Sequence, residues 1–282
     1  IDVPRDRLIV TLKCFQQPYI EDPSNYNTKF ARVRARLLYP RLAREGITSV
    51  RLFATTERLG RARAALEDAV TSLAARCASP RSEGYCIVKV DPLANVPEEI
   101  RLRLFGRILT CISGTMYPPR LHKLERLNAW LRDGTVDGGR TLGGCRVMWW
   151  KKNLLICREA AAVKDVLPMS RDLLWDQRFR LNTTFSRKIM KDIMVRRLGT
   201  AGWRQIVAAR PAIRNNMLPS VVRLTLPALW ALDEVVMVPH LKYVHEAWVP
   251  RIRKVPVFNF MPSQPIGSAR FAFASGNFRG IL

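Results

Sequence analysis

Residues 142–158 read LGGCRVMWWKKNLLICR, and this stretch decides the class of the fold. It contains two apolar segments of strand length, Leu142 to Trp150 and Leu154 to Arg158, separated by the polar Lys151-Lys152-Asn153. Two such segments joined by a short polar turn are typical of a β-hairpin. The sequence therefore predicts that a region with β-structure begins here.

The sequence before the hairpin shows helical periodicity instead. Apolar residues recur at helical spacing in residues 2–17 and again from Thr28 to Gly46, a segment rich in arginine. Thr48 is suited to cap a longer helix in which leucine repeats every seven residues from Leu52 to Leu73. Small residues accompany these leucines, and they favour packing within the chain over the alternative of a dimerising coiled coil.

Further elements are predicted on both sides of the hairpin, bounded by Gly and Pro residues. The predicted helices are Pro97 to Gly114, Pro118 to Gly134 and Gly202 to Ala209. The predicted strands are Tyr85 to Val90, Trp175 to Leu181 and Glu234 to Val238. The tail from Pro256 is expected to lie against the domain without forming an element of its own.

Together these patterns predict an α+β fold, with an N-terminal helical module followed by a smaller α+β domain that contains the β-hairpin. The chain has 282 residues, about twice a typical single-domain length, so more than one module is expected. We place the predicted boundaries so that they give segments 1–46, 47–135 and 136–282.

The charge of the chain is its most unusual property. Lys and Arg number 47 against 23 Asp and Glu, which gives a formal net charge of +24. Such an excess repels itself in a compact protein unless a polyanion offsets it, and nucleic acid is the leading candidate for that partner. A ribosomal or organellar protein and a protein that binds acidic membrane surfaces are the alternatives. A membrane-spanning helix is not predicted, because no apolar run approaches the ~18 residues that it needs.

The cysteines and histidines do not form a recognisable site. The six cysteines lack a C-x-x-C pair and none lies beside a histidine at metal-ligand spacing, so no metal site is predicted. We interpret the cysteines as reduced packing residues of an intracellular protein. His122, His240 and His245 have no nucleophile or metal partner in the pattern and are interpreted as structural.

Several fragments, taken in order, carry a family resemblance. In the first part of the chain they are RDRLI at residues 5–9, YIEDPSN at 19–25 and FARVRAR at 30–36. Farther on they are YPPR at 117–120, TLGGCRV at 141–147, CRE at 157–159, WDQRFR at 175–180 and LPALW at 226–230. This series resembles the tRNA(Ile)-lysidine synthases, from the end of the catalytic domain onward, although Val33 stands where that family often has Asn.

The resemblance implies an ATP-dependent ligase that joins lysine to the wobble cytidine of isoleucine tRNA. It implies ATP with Mg as the cofactor of the parent enzyme, tRNA and lysine as its partners, no membrane, and a cytoplasmic location. The family's S-G-G-x-D-S loop for ATP is not among these residues, so ATP is expected to bind outside this chain and no cofactor within it. The chain starts at Ile1 without Met, and we expect a segment upstream.

The resemblance also gives the three predicted segments their roles. Segment 1–46 would be the tail of the catalytic domain with a linker helix, 47–135 a helical substrate-binding domain and 136–282 a C-terminal tRNA-binding domain. Asp22, Asn25 and Arg36 are the predicted catalytic-site residues. Asp22 and Asn25 would shape the rim of the cytidine pocket, and the alternative is that they only stabilise a tight turn.

Basic residues outside that site are predicted to bind the RNA backbone, because guanidinium and ammonium groups neutralise phosphates without reading bases. The alternative for each is a solvated charged face. The predicted RNA-binding residues are Arg32, Arg34, Arg58, Arg61, Arg63, Lys151, Lys152, Arg178, Arg187, Lys188, Lys191, Arg196 and Arg197. A different class of function, a non-catalytic basic RNA-binding or ribosome-associated protein, is the competing hypothesis.

Overall fold

A computed structural model describes residues 3, 5–20, 22–134, 138–252 and 255–267. The α-helices of the described residues are α1 (Arg5–Cys14), α2 (Ala31–Arg44), α3 (Ser49–Cys77), α4 (Glu98–Ser113), α5 (Leu121–Arg132), α6 (Arg187–Met190), α7 (Gly199–Ala209) and α8 (Ser220–Arg223). The β-strands are β1 (Ala78–Arg81), β2 (Tyr85–Val88), β3 (Arg140–Leu142), β4 (Cys145–Trp150), β5 (Asn153–Arg158), β6 (Leu167–Pro168), β7 (Leu174–Trp175), β8 (Phe179–Asn182), β9 (Met194–Arg197), β10 (Pro227–Ala231), β11 (Glu234–Val238), β12 (Tyr243–Val244) and β13 (Val257–Phe260).

The predicted α+β class is confirmed, with helices first and antiparallel sheets after them. The chain divides into two compact units, Ile1–Asp68 with Arg270–Leu282 and Ala69–Ala269. We call these the first and the second unit, and only their described residues are discussed. None of the helices in the described part of the chain is long and apolar enough to cross a membrane.

The first unit contains α1, α2 and the beginning of α3. The backbone N–H of Arg51 donates to the Thr48 hydroxyl at 3.4 Å, so Thr48 caps α3 as predicted. The N–H of Ser49 is bonded to the hydroxyl of Tyr39 at 2.8 Å, which fixes the end of the loop that follows α2. Val33 is a buried apolar side chain of α2, at 5% exposure.

In the second unit, the predicted hairpin is confirmed as β4 and β5, which pair in register from Cys145 opposite Arg158 to Trp150 opposite Asn153. Its turn is shorter than predicted, because Asn153 already belongs to β5. Lys151 and Lys152 form the turn with φ of 47° and 63°. Two left-handed residues are what a type I′ turn requires, and this turn matches the twist of the two strands.

The hairpin is part of a five-stranded sheet in the order β1-β2-β5-β4-β3, against which α4 packs. β1 and β2 come from the predicted helical segment 47–135 and join this sheet through β2, which pairs with β5. The division into compact units falls after Asp68, and the segments 1–46, 47–135 and 136–282 stay a prediction. β2 confirms the strand predicted from Tyr85 to Val90, whereas β1 was not predicted.

A second five-stranded sheet, β12-β11-β10-β9-β6, forms the middle of this unit. Along β10, Ala228 and Trp230 belong to one core cluster and Leu229 to another, so both faces of this strand are buried. The first cluster includes α7 and β5 residues, and the second includes the three-stranded sheet β13-β8-β7. Burial on both faces explains why β10 and β11 are continuous apolar runs.

Two predictions of local structure were wrong. The predicted strand from Trp175 to Leu181 is instead two short strands, β7 and β8, joined by a turn in which Asp176 and Gln177 have φ of 49° and 56°. The tail from Pro256 was not expected to form an element, but it contains β13, which pairs with β8. The part of that tail after residue 267 lies outside the described residues.

The cysteines agree with their interpretation as reduced packing residues, with one exception. Five thiols are free and buried, whereas Cys14 is exposed. Burial raises the pKa of Cys86, Cys145 and Cys157 to about 12 and that of Cys77 and Cys111 to about 11. The buried thiols are therefore held in the protonated, unreactive form.

Candidate nucleic-acid interface

The loop before α2 holds two of the predicted catalytic residues, Asp22 and Asn25. The Asp22 carboxylate accepts the backbone N–H of Ser24 at 2.8 Å and caps a short 3-10 helix, Pro23–Tyr26. This hydrogen bond holds the pKa of Asp22 below its usual value. Asn25 donates its own backbone N–H to the Asp22 carbonyl at 3.0 Å. Asp22 therefore stabilises a tight turn, as the alternative interpretation stated.

The three arginines of α2 that were predicted to face RNA are all exposed, but they are not equivalent. Arg34 donates from Nη1 to the carbonyls of Thr28 and Lys29 at 2.8 and 2.7 Å, so it fastens the preceding loop. Arg32 lies over the ring of Phe30, 5.4 Å from its centroid. Arg36 follows Arg32 by four positions and so lies on the same face of the helix. Arg32 and Arg36 are the pair that this face presents to solvent.

Other exposed cations lie on α3, on the turn of the β4–β5 hairpin and on α6. Arg58, Arg61 and Arg63 are exposed on α3 in the first unit. In the second unit, the turn of the β4–β5 hairpin exposes Lys151 and Lys152, and the Lys151 ammonium lies 4.7 Å from the ring centroid of Trp150.

The short helix α6 carries a further basic group. Its first turn is capped by Ser186, whose hydroxyl accepts the N–H of Ile189 at 3.4 Å. Arg187, Lys188 and Lys191 are exposed on this helix and at its C-terminal cap. Cations at the C-terminal end of a helix are favoured by its dipole, so this cluster is compatible with the local fold as well as with a phosphate partner.

Arg196 and Arg197 on β9 are half-buried rather than free. The Arg196 guanidinium stacks 3.9 Å from the ring centroid of Trp230 and donates to the Leu232 carbonyl at 3.0 Å. Arg197 donates from Nη1 to the carbonyl of Ala160. Both side chains are therefore held in fixed positions, and each residue remains partly exposed.

Arg178 has a structural role that contradicts its prediction as an RNA contact. Its side chain is 0% exposed, so no phosphate can reach it. Nε donates to the carboxylate of Asp176 at 2.6 Å and Nη1 to the carbonyl of Gly84 at 2.9 Å. The same carboxylate accepts from Nη2 of Arg158 at 2.9 Å. We name these three side chains, Arg158, Asp176 and Arg178, the buried ionic triad.

Sequence reasoning missed several cations that lie on aromatic rings. Arg223 lies 4.4 Å from the ring centroid of Trp203, Arg210 5.6 Å from that of Tyr243 and Arg140 5.6 Å from that of Trp130. The members of each pair are far apart in the sequence, so no local pattern could reveal them. Arg140 and Arg210 are exposed and Arg223 is half-buried. A guanidinium beside an aromatic ring suits contacts with RNA bases or phosphates.

No candidate metal centre is found in the described part of the chain, and two histidines there have local hydrogen-bond partners. No group of three or more His, Cys, Asp or Glu side chains there could hold a metal ion. His240 is bonded through Nε2 to the carbonyl of Ser82 at 3.2 Å, and His245 accepts the N–H of Ala247 at 3.3 Å. These two histidines have the structural roles that the sequence indicated.

Comparison with known proteins gives one consistent group of relatives. The tRNA(Ile)-lysidine synthase of Ruegeria pomeroyi is 30% identical over 239 residues, which cover 85% of this chain and 54% of the relative. That of Methylobacterium nodulans is 38% identical over 150 residues, 51% of this chain and 44% of the relative. That of Wolbachia sp. subsp. Brugia malayi is 28% identical over 178 residues, 62% of this chain and 41% of the relative. No profile of a known protein family matches the chain. The chain spans about half the length of the first of these relatives and less of the other two.

Proposed function

Because the chain is homologous to tRNA(Ile)-lysidine synthases over 85% of its length, we propose that it performs the tRNA-binding work of such an enzyme. In this proposal the whole enzyme is a ligase that joins lysine to the wobble cytidine of isoleucine tRNA in the cytoplasm. The homology is the observation that carries the proposal. The exposed cations on α2, α3, α6 and the hairpin turn support it, since they are spread over both units of a chain with a net charge of +24.

The chemistry of the reaction assigns limited roles to the residues of this chain. ATP with Mg, which would activate the cytidine before lysine attacks, would be bound by residues outside this chain. We propose that Arg36 contacts the RNA near the reacting cytidine, because it is exposed on α2 beside Arg32. Asp22 and Asn25 would act by shaping the loop that leads into α2, since the Asp22 carboxylate already accepts the Ser24 N–H.

The remaining cations would bind the tRNA away from the reacting base. Residues 47–135 would then help to position the substrate, and residues 136–282 would hold the body of the tRNA. Arg34 contributes by fastening the loop before α2, and Arg178 by supporting the fold. The exposed residues Arg58, Arg61, Lys151, Lys152, Arg187, Lys188 and Lys191 would contact phosphates, because they are held on elements that point their charges into solvent.

The proposal is tested by measuring the affinity of the chain for isoleucine tRNA with a wobble cytidine and for tRNAs with other anticodon arms. Discrimination in favour of the isoleucine tRNA supports it. An Arg36→Gln variant should lose affinity for the isoleucine tRNA more than for the others if Arg36 lies near the anticodon. Equal affinity for every tRNA contradicts a role in lysidine synthesis.

Equal affinity would favour a second function, that of a non-catalytic basic RNA-binding or ribosome-associated protein. The exposed cations of both units also suit this second candidate, since phosphate contacts do not depend on the RNA sequence. Binding of ribosomes in preference to free tRNA is the result that would select it over the first candidate.

A further inference from the structure

An open cleft of about 900 Å³ lies between α5 and the β3–β4 turn, within the second unit. One wall is the side of α5 from Lys123 to Asp133, and the other is the chain from Arg140 to Gly144. Glu159 also lines the cleft. Cavities of about 300–1,000 Å³ hold small ligands, so this cleft has room for one nucleotide.

Three exposed cations line the cleft, and none of them is among the RNA-binding residues predicted from the sequence. Lys123 and Arg126 are three positions apart on α5, so they lie on the same side of the helix. Neither of them forms an ion pair with another residue that the structure describes. An ammonium and a guanidinium that are exposed and unpaired are suited to bind phosphates.

The third cation, Arg140, connects the two walls of the cleft. Its guanidinium carbon lies 5.6 Å from the ring centroid of Trp130 on α5. Trp130 is buried at 6% exposure, whereas Arg140 is exposed and lines the cleft. RNA bases that are not paired stack on flat guanidinium groups, and the aromatic ring behind this one holds it in place.

The β3–β4 turn that forms the second wall is held by contacts on both sides. Gly143 and Gly144 have φ of 60° and 73°, as a type I′ turn requires. A Cβ added to Gly143 would lie 3.0 Å from Cγ of Pro119, so the turn packs against the chain before α5. The Gly144 carbonyl accepts from Nη1 of Arg158 at 3.0 Å and from the N–H of Glu159 at 2.9 Å. This wall is therefore in place before a ligand binds, which lowers the cost of binding.

The order of the groups along α5 matches the order of the parts of a nucleotide. Lys123 and Arg126 come first, Trp130 with Arg140 on its ring comes next, and Asp133 comes last. Asp133 follows Arg126 by seven residues, about 10 Å along the helix. A bare phosphate is repelled by such a carboxylate, whereas the amino group of a base donates to it. The cleft thus suits a nucleotide better than a simple anion.

We propose that this cleft binds one unpaired nucleotide of an RNA. Its phosphates pair with Lys123 and Arg126, its base stacks on Arg140, and an amino group of the base donates to Asp133. The site rests on the proposed function, because tRNA is taken as the source of the nucleotide. A base-paired helix does not fit, since its bases are already stacked and paired.

The first test measures, by fluorescence anisotropy, the affinity of the full chain for a short unstructured RNA and for a duplex of the same length. Arg140→Lys keeps the charge but removes the flat guanidinium. It should weaken binding of the single strand about tenfold and leave both the duplex affinity and the salt dependence unchanged. Arg126→Gln should weaken binding of the single strand and reduce its salt dependence by about one phosphate contact.

Two exposed arginines outside the cleft supply matched controls, Arg180→Lys on β8 and Arg132→Gln on α5. Arg180→Lys should leave the affinity for the single strand unchanged, and Arg132→Gln should weaken it less than Arg126→Gln does. Losses as large in the controls as in the cleft variants overturn the site. An equal loss of single strand and duplex in Arg140→Lys also overturns it, because a stacked base is then not involved.

The second test locates the nucleotide with tRNA that carries 4-thiouridine at one unpaired position at a time. Photo-crosslinks from one of these positions to α5 or to residues 140–144 are expected. If the tRNA binds but no position crosslinks there, the site is overturned and the proposed function stands. If the tRNA does not bind while Arg140→Lys still weakens binding of the short RNA, the proposed function fails and the cleft remains a site for another RNA.

Discussion

Replacing Asp176 with Asn should destabilise the second unit strongly, because Asp176 is the common anion of the buried ionic triad. The carboxylate is 4% exposed and lies 2.6 Å from Nε of Arg178 and 2.9 Å from Nη2 of Arg158. Burial lowers the pKa of Arg178, and the Asp176 carboxylate works against that shift. The guanidinium nevertheless stays protonated, since its ordinary pKa is far above neutral, so Asp176→Asn leaves its charge buried without a counterion.

Removal of one partner from a buried ion pair costs about 3–5 kcal/mol. For a unit of this size each kcal/mol lowers Tm by about 2–4 °C, so the expected decrease is about 6–20 °C. Asn tolerates left-handed backbone at least as well as Asp does, so the φ of 49° at this position is not the source of the loss. Differential scanning calorimetry of the full chain measures the change.

Asp172→Asn is the matched control for this experiment. Asp172 is exposed, has the same left-handed backbone with φ of 57°, and undergoes the same change from acid to amide. A surface substitution of this kind should change stability by no more than about 0.5 kcal/mol. If the two variants melt at the same temperature, the triad does not stabilise the unit and the reasoning from burial and charge is refuted.

Three further predictions follow from the structure. Replacing Lys151-Lys152 with Asn-Gly keeps a type I′ turn while removing two positive charges. The affinity for tRNA should therefore fall, and its salt dependence should decrease by about two phosphate contacts, with Tm unchanged. A lower Tm or an unchanged affinity would contradict the assignment of these lysines to the RNA backbone. In the folded chain, only the thiol of Cys14 should react quickly with a thiol reagent, because burial protects the other five thiols and raises their pKa. Several fast-reacting thiols would contradict this arrangement. Burial lowers the pKa of His240 below its ordinary 6.5, so the unfolded chain binds the proton more readily and stability should fall as pH decreases through and below that value. In His240→Gln, the free energy of unfolding measured with urea should depend less on pH in this range. The same pH dependence in both chains would exclude His240 as its cause.

The sequence was sufficient to predict elements whose pattern is local. The hairpin at 142–158 was predicted from two apolar runs around the polar Lys151-Lys152-Asn153, and the long helix α3 from its leucine period and its Thr48 cap. In both, the residues that specify the element lie within it. The excess of positive charge is likewise read from the sequence alone, and it indicates a polyanionic partner without any knowledge of the structure.

The errors came from contacts between distant residues. The reversal at Asp176 and Gln177 carries no Gly or Pro signal, and the Asp176 side chain is held there by Arg158, 18 residues earlier. β2 falls within the predicted strand from Tyr85 to Val90, but its place in the sheet is fixed by its pairing with β5, which follows it by nearly seventy residues. Arg178 is chemically like its exposed neighbours in the sequence, and only its bond to Gly84, 94 residues away, shows that it is buried.

The salt dependence of tRNA binding tests the central claim most directly, because phosphate contacts release counterions and specific base contacts do not. If the exposed cations of α2, α3, α6 and the hairpin turn bind about six or more phosphates of the tRNA backbone, the affinity for tRNA should fall by about a thousandfold or more between 50 and 200 mM salt. A decrease of less than about tenfold over this range would mean that these cations do not form the binding surface.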